Sequence, residues 1–406
     1  MTNNGIGGSS AELELAKLSN MALDIKPIDA VEYKQRIEKA QAIMQANDIV
    51  ATYVNAGTNL YYFTGTRWYA SERMVGAIIP AVGEVEYIAP HFEISTLEQF
   101  MVINGKVNSW HEHVNPYQTF VDALSAKGIT SGKVAIDEST AFFIANGIKQ
   151  VAPEFDLVDA KVVTAGCRMQ KSDNEIALLQ RAKDMTLQVH KAAARILYEG
   201  ITTKEVEEFI NNAHKAVGAP AGSYFCIVLF GEDSAYPHGV ANPNPLAMND
   251  IVLIDTGCKV QGYNSDITRT YVFGEASERQ TQIWNYEKQA QRLAFEAAQL
   301  GQPCSVADQA VRDYLPTVGL GENYSIPGLP HRTGHGIGLD IHEWPYLVLN
   351  DKTPLAVGMC FSNEPMICIP GEFGIRHEDH FYMTKDGPKW FTEPAHSISD
   401  PFGYNA

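Results

Sequence analysis

Apolar residues recur along this chain in two kinds of block. Some stretches carry a helical repeat, and others are short runs dense in Val, Ile, Tyr and Phe set between Gly, Pro, Asn and Asp. Residues 29–48, DAVEYKQRIEKAQAIMQAND, read as a helix that runs straight into a strand, IVATYV (49–54). MVGAIIP (74–80), VEYIAP (85–90) and KVAIDE (133–138) read as further strands, with YQTFVDALSAK (117–127) and TAFFIANGIKQ (140–150) as helices. That alternation predicts an α/β domain over 29–160, with no dinucleotide-binding glycine fingerprint. Ahead of it, 1–28 divides into a loose tail (1–9) and a short helix over 10–22, whose apolar positions are Leu13, Leu15, Leu18 and Met21.

Past residue 161 the grouping changes. Long helices are predicted over 172–199 and 202–217, followed by strands at YFCIVLF (224–230), DIVLIDTG (250–257) and DITRTYVFG (266–274). Two helices fill 277–317, and the end is strand-rich: GMCFSNEPMICIP (358–370) and GIRHEDHFYMT (374–384). Grouped helices and mostly antiparallel strands predict an α+β second domain over 161–406. Between these blocks lies HRTGHGIGLDIHE (331–343), with His331, His335 and His342. His331 and His335 are spaced for one helical face, but Gly334, Gly336 and Gly338 would each cost a helix about 1 kcal/mol. Pro345 also disfavours a helix at Trp344. The stretch reads as a loop feeding an extended segment, so its histidines must find partners elsewhere in the chain.

Composition narrows the function classes. The 406 residues are 45% hydrophobic and 19% charged, with a net charge of −17 and no basic cluster, which argues against nucleic acid and anionic membrane as partners. No apolar run approaches the ~20 residues of a membrane span, and MTNNGIGGSS does not resemble a secretion signal. The six cysteines form no C-x-x-C pair, so free thiols in a cytoplasmic, reducing compartment are expected. HEH (111–113) reads as a surface feature, and no G-x-S-x-G elbow is present.

Four carboxylates each sit inside an apolar, strand-like run. Asp255 closes IVLID, Asp266 opens DITRTYVF, Glu364 lies in CFSNEPMI and Glu378 in GIRHEDHFYM. The two aspartates should face each other across a hairpin. A lone acid in such a run is more often a salt-bridge residue, and Arg269 and Arg376 are on hand for Asp266 and Glu378. Four acids together with a histidine instead suggest something positive among them.

The order and context of these residues, in DTGCKVQGYNSDITRT, GHGIGLDIHE, SNEP and GIRHED, resemble the metallopeptidases of the pita-bread fold. That family includes methionine aminopeptidase, aminopeptidase P, prolidase and the metal-free creatinase. CRMQKSDNEI (167–176) and YPHG (236–239) extend the likeness, and NLYYFTG (59–65) looks like the strand-and-turn motif of the creatinase and prolidase branch. The resemblance covers about residues 30–390. It implies a creatinase-like α/β domain followed by a pita-bread catalytic domain. It also implies two divalent ions, manganese foremost with cobalt or zinc as alternates, bound by Asp255, Asp266, His335, Glu364 and Glu378. His238, His342 and Glu364 take catalytic roles, His331 and Arg376 place the substrate, and His377 and His380 stay structural. The expected reaction is metal-dependent hydrolysis of the amide bond before proline in a short peptide, with dipeptidase ahead of aminopeptidase P. The alternative is a small-molecule hydrolase or lyase on the same fold. The resemblance further implies a homodimer, with TGTRWYASER (64–73) reaching the partner's active site. Short prolidases tend to carry a basic residue just after HEWP, where this chain has Tyr346.

Overall fold

A computed structural model describes residues 4–405. They divide into two compact units: Pro27–Arg168, and the residues up to Lys26 together with those from Met169 onward.

The first unit is a six-stranded mixed sheet with helices. Its strands run in the order Val107–Trp110, Glu86–Pro90, Gly76–Pro80, Ile49–Asn55, Gly132–Ile136, Phe155–Asp159. The inner strands are buried almost throughout, as strands covered on both faces must be. Tyr53, Ile78, Ile88, Phe120, Val134 and Ile148 form part of its core. Asp29 caps the helix Ala30–Ala46 by accepting from Glu32 N, and Asn115 with Pro116 starts the helix Pro116–Ala126. NLYYFTG is not a strand and turn: Thr58–Thr64 is a helix, stopped by Gly65 at φ 73°.

The unit also extends past the expected boundary at residue 160. The helix Lys161–Arg168 belongs to it, because Tyr62 Oη donates to Cys167 O (3.0 Å) and Arg168 Nη1 to Asn59 Oδ1 (2.9 Å). Residues 4–9 are likewise not a loose tail. Gly7 N and Ser9 N donate to Ala194 O and Arg195 O, which fastens the segment to the end of a helix of the second unit. The short helix spans Ala11–Lys17 rather than 10–22, since Asn20 Oδ1 accepts from Ala22 N and favours a turn there.

The second unit opens with the helices Asp173–Arg195 and Thr203–Ala216, each begun by a reciprocal capping box, Ser172 with Glu175 and Thr202 with Glu205. An antiparallel sheet of three strands follows, in the order Ile267–Val272, Ile251–Gly257, Phe225–Phe230. A five-stranded antiparallel sheet runs Glu343–Leu347, Gly334–Gly336, Cys360–Asn363, Asp379–Thr384, Gly387–Trp390. Between them sits the hairpin Met366–Ile369/Phe373–Arg376, and a bridge from Thr268 to Glu378 ties the sheets together. The helices Glu278–Ala297 and Ser305–Tyr314 share a core with the sheets through Trp284, Ala294, Val311, Phe361 and Phe381.

The two strand-rich runs near the end of the chain are each broken. GMCFSNEPMICIP breaks at Glu364–Pro365 and GIRHEDHFYMT at His377–Glu378, as the chain passes between the five-stranded sheet and the hairpin. The breaks place a carboxylate at each crossing.

Candidate metal centre

Asp255 lies in the central strand Ile251–Gly257, with Ile227 and Thr268 as its cross-strand partners. Asp266 immediately precedes the strand Ile267–Val272, after a tight turn through Lys259–Val260 and Tyr263–Asn264. The hairpin is as expected, but the aspartates are diagonal rather than directly opposite. Thr268 pairs with Asp255, and Asp266 is two residues earlier on the same face. Glu378 is held at the sheet crossing, where its N–H donates to Thr268 O and Thr268 Oγ1 donates to its Oε2 (2.9 Å).

The glycine-rich histidine stretch is partly a strand, Gly334–Gly336, rather than a loop throughout. Its glycines serve close strand approach: a Cβ on Gly334 would lie 2.2 Å from Ser362 O, and one on Gly336 2.4 Å from Glu343 O. The helix Ser305–Tyr314 fixes this strand's entry, since Asp308 accepts from Thr333 N and Oγ1, and Arg312 Nη2 donates to His331 O. On the exit side, Lys171 Nζ donates to the buried Glu343 (2.6 Å).

These supports aim His335 inward. Its Nδ1 lies 3.0 Å from Gly336 O, and a carbonyl can only accept, so Nδ1 carries the proton. Nε2 then faces the acids, 3.1 Å from Glu364 and 3.7 Å from Asp266; with a proton it pairs with Glu364, and without one it offers its lone pair to a cation. A backbone acceptor on one ring nitrogen is the usual way a ligating histidine is oriented.

The five expected ligands do converge. Donor atoms of His335, Glu364 and Glu378 lie within 4.8 Å of one another, as do those of Asp266, His335 and His342, and those of Asp266, Glu378 and His380. Asp255 joins them in the wall of the same cavity, about 310 Å3, together with His238, His331, Arg332, His342 and Arg376. Phe225, Ile227, Pro237 and Ile341 supply its apolar wall.

Arg376 does not pair with Glu378, nor Arg269 with Asp266. Arg376 Nη2 binds Asp255 Oδ2 at 2.5 Å and its Nε donates to Thr268 Oγ1, while Arg269 Nη2 binds Asp379 at 2.7 Å. Both guanidiniums are buried and committed.

The charge balance is one-sided. Burial raises Asp255, Asp266 and Glu378 above the ordinary carboxylate range, and in Asp266 and Glu378 the neighbouring carboxylates push further the same way. Burial raises Glu364 too, but a hydrogen bond from protonated His335, with the charges of His335, His331 and Arg376, holds it at about 2. Asp255 Oδ1 and Glu378 Oε1 have no hydrogen-bond partner although buried. Unpaired oxygens among crowded acids and one correctly oriented imidazole fit divalent cations. The oxygen-rich set suits hard or borderline ions.

Arg332, in this wall, was missed from the sequence, and His380, read there as structural, lies beside the donors. His380 follows Glu378 by two positions, which puts it on the same side of the strand, and its Nε2 lies 3.4 Å from Glu378 Oε1. That period of two was the available signal. Arg332 carried none, since a basic residue beside a histidine is unremarkable in sequence.

The residues 177–385 match the model of metallopeptidase family M24, and 36–170 that of the creatinase/prolidase N-terminal domain. The chain is 31% identical to the putative dipeptidase YkvY of Bacillus subtilis, over 88% of this chain and 97% of that one. It is 32% identical to the Xaa-Pro dipeptidase of Pyrococcus horikoshii, over 90% and 98%. Among solved structures, the dipeptidase PepE of Mycobacterium ulcerans superposes with a TM-score of 0.85 at 31% identity, covering 92% of this chain and 99% of that one.

Proposed function

Because the chain belongs to metallopeptidase family M24, we propose that it hydrolyses the amide bond before proline in short peptides, as an Xaa-Pro dipeptidase. The observation that carries this is the convergence of Asp266, His335, Glu364 and Glu378 at one end of a small cavity with an apolar wall. Two divalent ions held by these four and Asp255 would supply a nucleophile at neutral pH and polarise the scissile carbonyl.

The remaining chemistry belongs to the chain's own side chains. Glu364, ionised and bordering the cavity, carries a proton from the attacking water to the leaving nitrogen. His342 lies with its ring centroid 4.0 Å from that of His335. Burial and then the His335 charge push its imidazole down to about 4, so it is neutral at pH 7 and offers an N–H to the developing oxyanion with His238. His331 donates through Nδ1 to Arg332 O (2.7 Å), which leaves Nε2 as an acceptor for the substrate. Arg376 acts on the substrate only indirectly, by fixing Asp255. Phe225, Ile227, Pro237 and Ile341 give a pyrrolidine ring an apolar berth, and 310 Å3 is at the small end of ligand pockets, roughly 300–1,000 Å3.

The small-molecule alternative lacks such support, as the relatives reported above are named dipeptidases. Manganese is the ion the oxygen-rich donor set favours. The six free cysteines suit a cytoplasmic setting, and no helix among the described residues is long and apolar enough to cross a membrane. The bare Tyr69 at the tip of 64–73 suits a contact with a second subunit in a homodimer.

Hydrolysis of Ala-Pro and Ala-Pro-Ala with manganese added tests the reading. Faster cleavage of Ala-Pro is expected. Faster cleavage of Ala-Pro-Ala would make the enzyme an aminopeptidase P, and cleavage of neither would end the Xaa-Pro assignment.

A further inference from the structure

A dipeptidase must recognise the free carboxylate one residue, about 3.5 Å, beyond the bond it cuts. That recognition calls for a fixed cation facing the cavity and not already neutralised. Arg376 fails this requirement, because it is buried and bound to Asp255 and Thr268. Arg312 is held by Asp308. Arg269 is held by Asp379.

Arg332 meets it. The side chain lines the cavity alongside His331, His335 and His342, and among the described residues no carboxylate pairs with it. Its guanidinium carbon lies 4.2 Å from the centroid of the Tyr346 ring. Tyr346 is the strand partner of His335, so the ring that carries Arg332 is registered directly to a metal ligand. A guanidinium stacked on an aromatic face presents in-plane N–H groups to an incoming acceptor, and one of those of Arg332 meets the Tyr346 hydroxyl, which holds the group in place. The stacking also restricts the side chain's rotamers, so less freedom is lost when a carboxylate arrives.

We infer that Arg332, carried on the Tyr346 ring, binds the C-terminal carboxylate of the substrate and so sets the preference for dipeptides. This rests on the Xaa-Pro reading for the identity of the peptide, but not for the carboxylate itself. The aromatic residue after HEWP is then a platform, with the cation supplied from across the hairpin.

The test compares the manganese-loaded wild type with Arg332→Gln and Arg332→Lys, on Ala-Pro and Ala-Pro-amide, and measures binding of proline and prolinamide by calorimetry. Wild type should prefer the acid in both assays. Arg332→Gln should lower kcat/KM for Ala-Pro on the order of 10- to 100-fold, mostly through KM, and collapse the acid-to-amide ratio. Arg332→Lys should restore part of that ratio. The same collapse is expected in the proline-to-prolinamide ratio. An equal loss on acid and amide, or a proline preference untouched by Arg332→Gln, would overturn the assignment. If Ala-Pro is not cleaved while the Arg332-dependent preference for proline stands, the Xaa-Pro reading falls and the carboxylate site remains.

Discussion

The segment 376–380 has two faces, and they solve the problem of buried charge in opposite ways. On the back face, Asp379 takes hydrogen bonds from Arg269, Gln291 and Thr392, and His377 sits 3.2 Å from Glu287. The Asp379 charge has its answer there, whereas both oxygens of Glu287 and both ring nitrogens of His377 are buried without a hydrogen bond. On the front face, Glu378 has one oxygen bound by Thr268 and the other without a hydrogen bond, among Asp266, Glu364 and His380. Arg376, on that side of the segment, is committed to Asp255. Residues alternating along one short stretch thus divide into a completed structural pair and an excess of donors. Burial of acids identifies neither role, and nor does a missing hydrogen bond, since Glu287 lacks one too; the crowding of several donors within reach of one another does.

The sharpest way to break this comparison is to spoil the back face. Asp379→Ala leaves Arg269 buried without its counter-charge and should cost about 3–5 kcal/mol in urea unfolding. Metal stoichiometry at low temperature should stay at the wild-type value. Loss of bound metal with unchanged stability would show that the two faces are not separable.

On the front face, His342→Ala should lower kcat by roughly 10²–10³ while leaving the metal content intact, as expected for an oxyanion donor. His342 also lies within donor distance of Asp266 and His335. A variant that cannot hold metal would therefore make it a ligand.

The smallest effect comes from a buried imidazole with no part in the site. Burial pushes His214 down to about 4, while its ring nitrogens meet Thr186 and Ser223. The unfolded chain, with an ordinary histidine near 6.5, takes up the proton first. The stability owed to neutral His214 is thus complete above pH 6.5 and declines as pH falls toward 4. The loss should be on the order of 1 kcal/mol per pH unit. His214→Gln should flatten the stability profile by that slope between pH 6.5 and 5. Parallel profiles would show that the ring is already charged in the folded protein.

The two-domain layout was readable because its signals are local. Caps at Asp29, Ser172 and Thr202 and short β-rich runs need no tertiary knowledge. The convergence of these acids and His335 on one cavity was readable because acids inside apolar strands are costly and their motifs resemble a known family. Three features were not readable, for one shared reason. The strand character of Gly334–Gly336 depends on how close Ser362 and Glu343 approach. The pairing of Arg376 with Asp255 spans 121 residues. Arg332 gains meaning only from Tyr346 across the hairpin. Partners set by sheet register rather than by regular spacing along the chain leave no periodic trace in it.

Titration of the metal-free protein with manganese, followed by calorimetry and elemental analysis, tests the central claim most directly. Two ions per chain are expected for the wild type and for Asp379→Ala, and at most one for Glu378→Gln. A wild type that saturates below one ion per chain while still cleaving Ala-Pro would contradict the account.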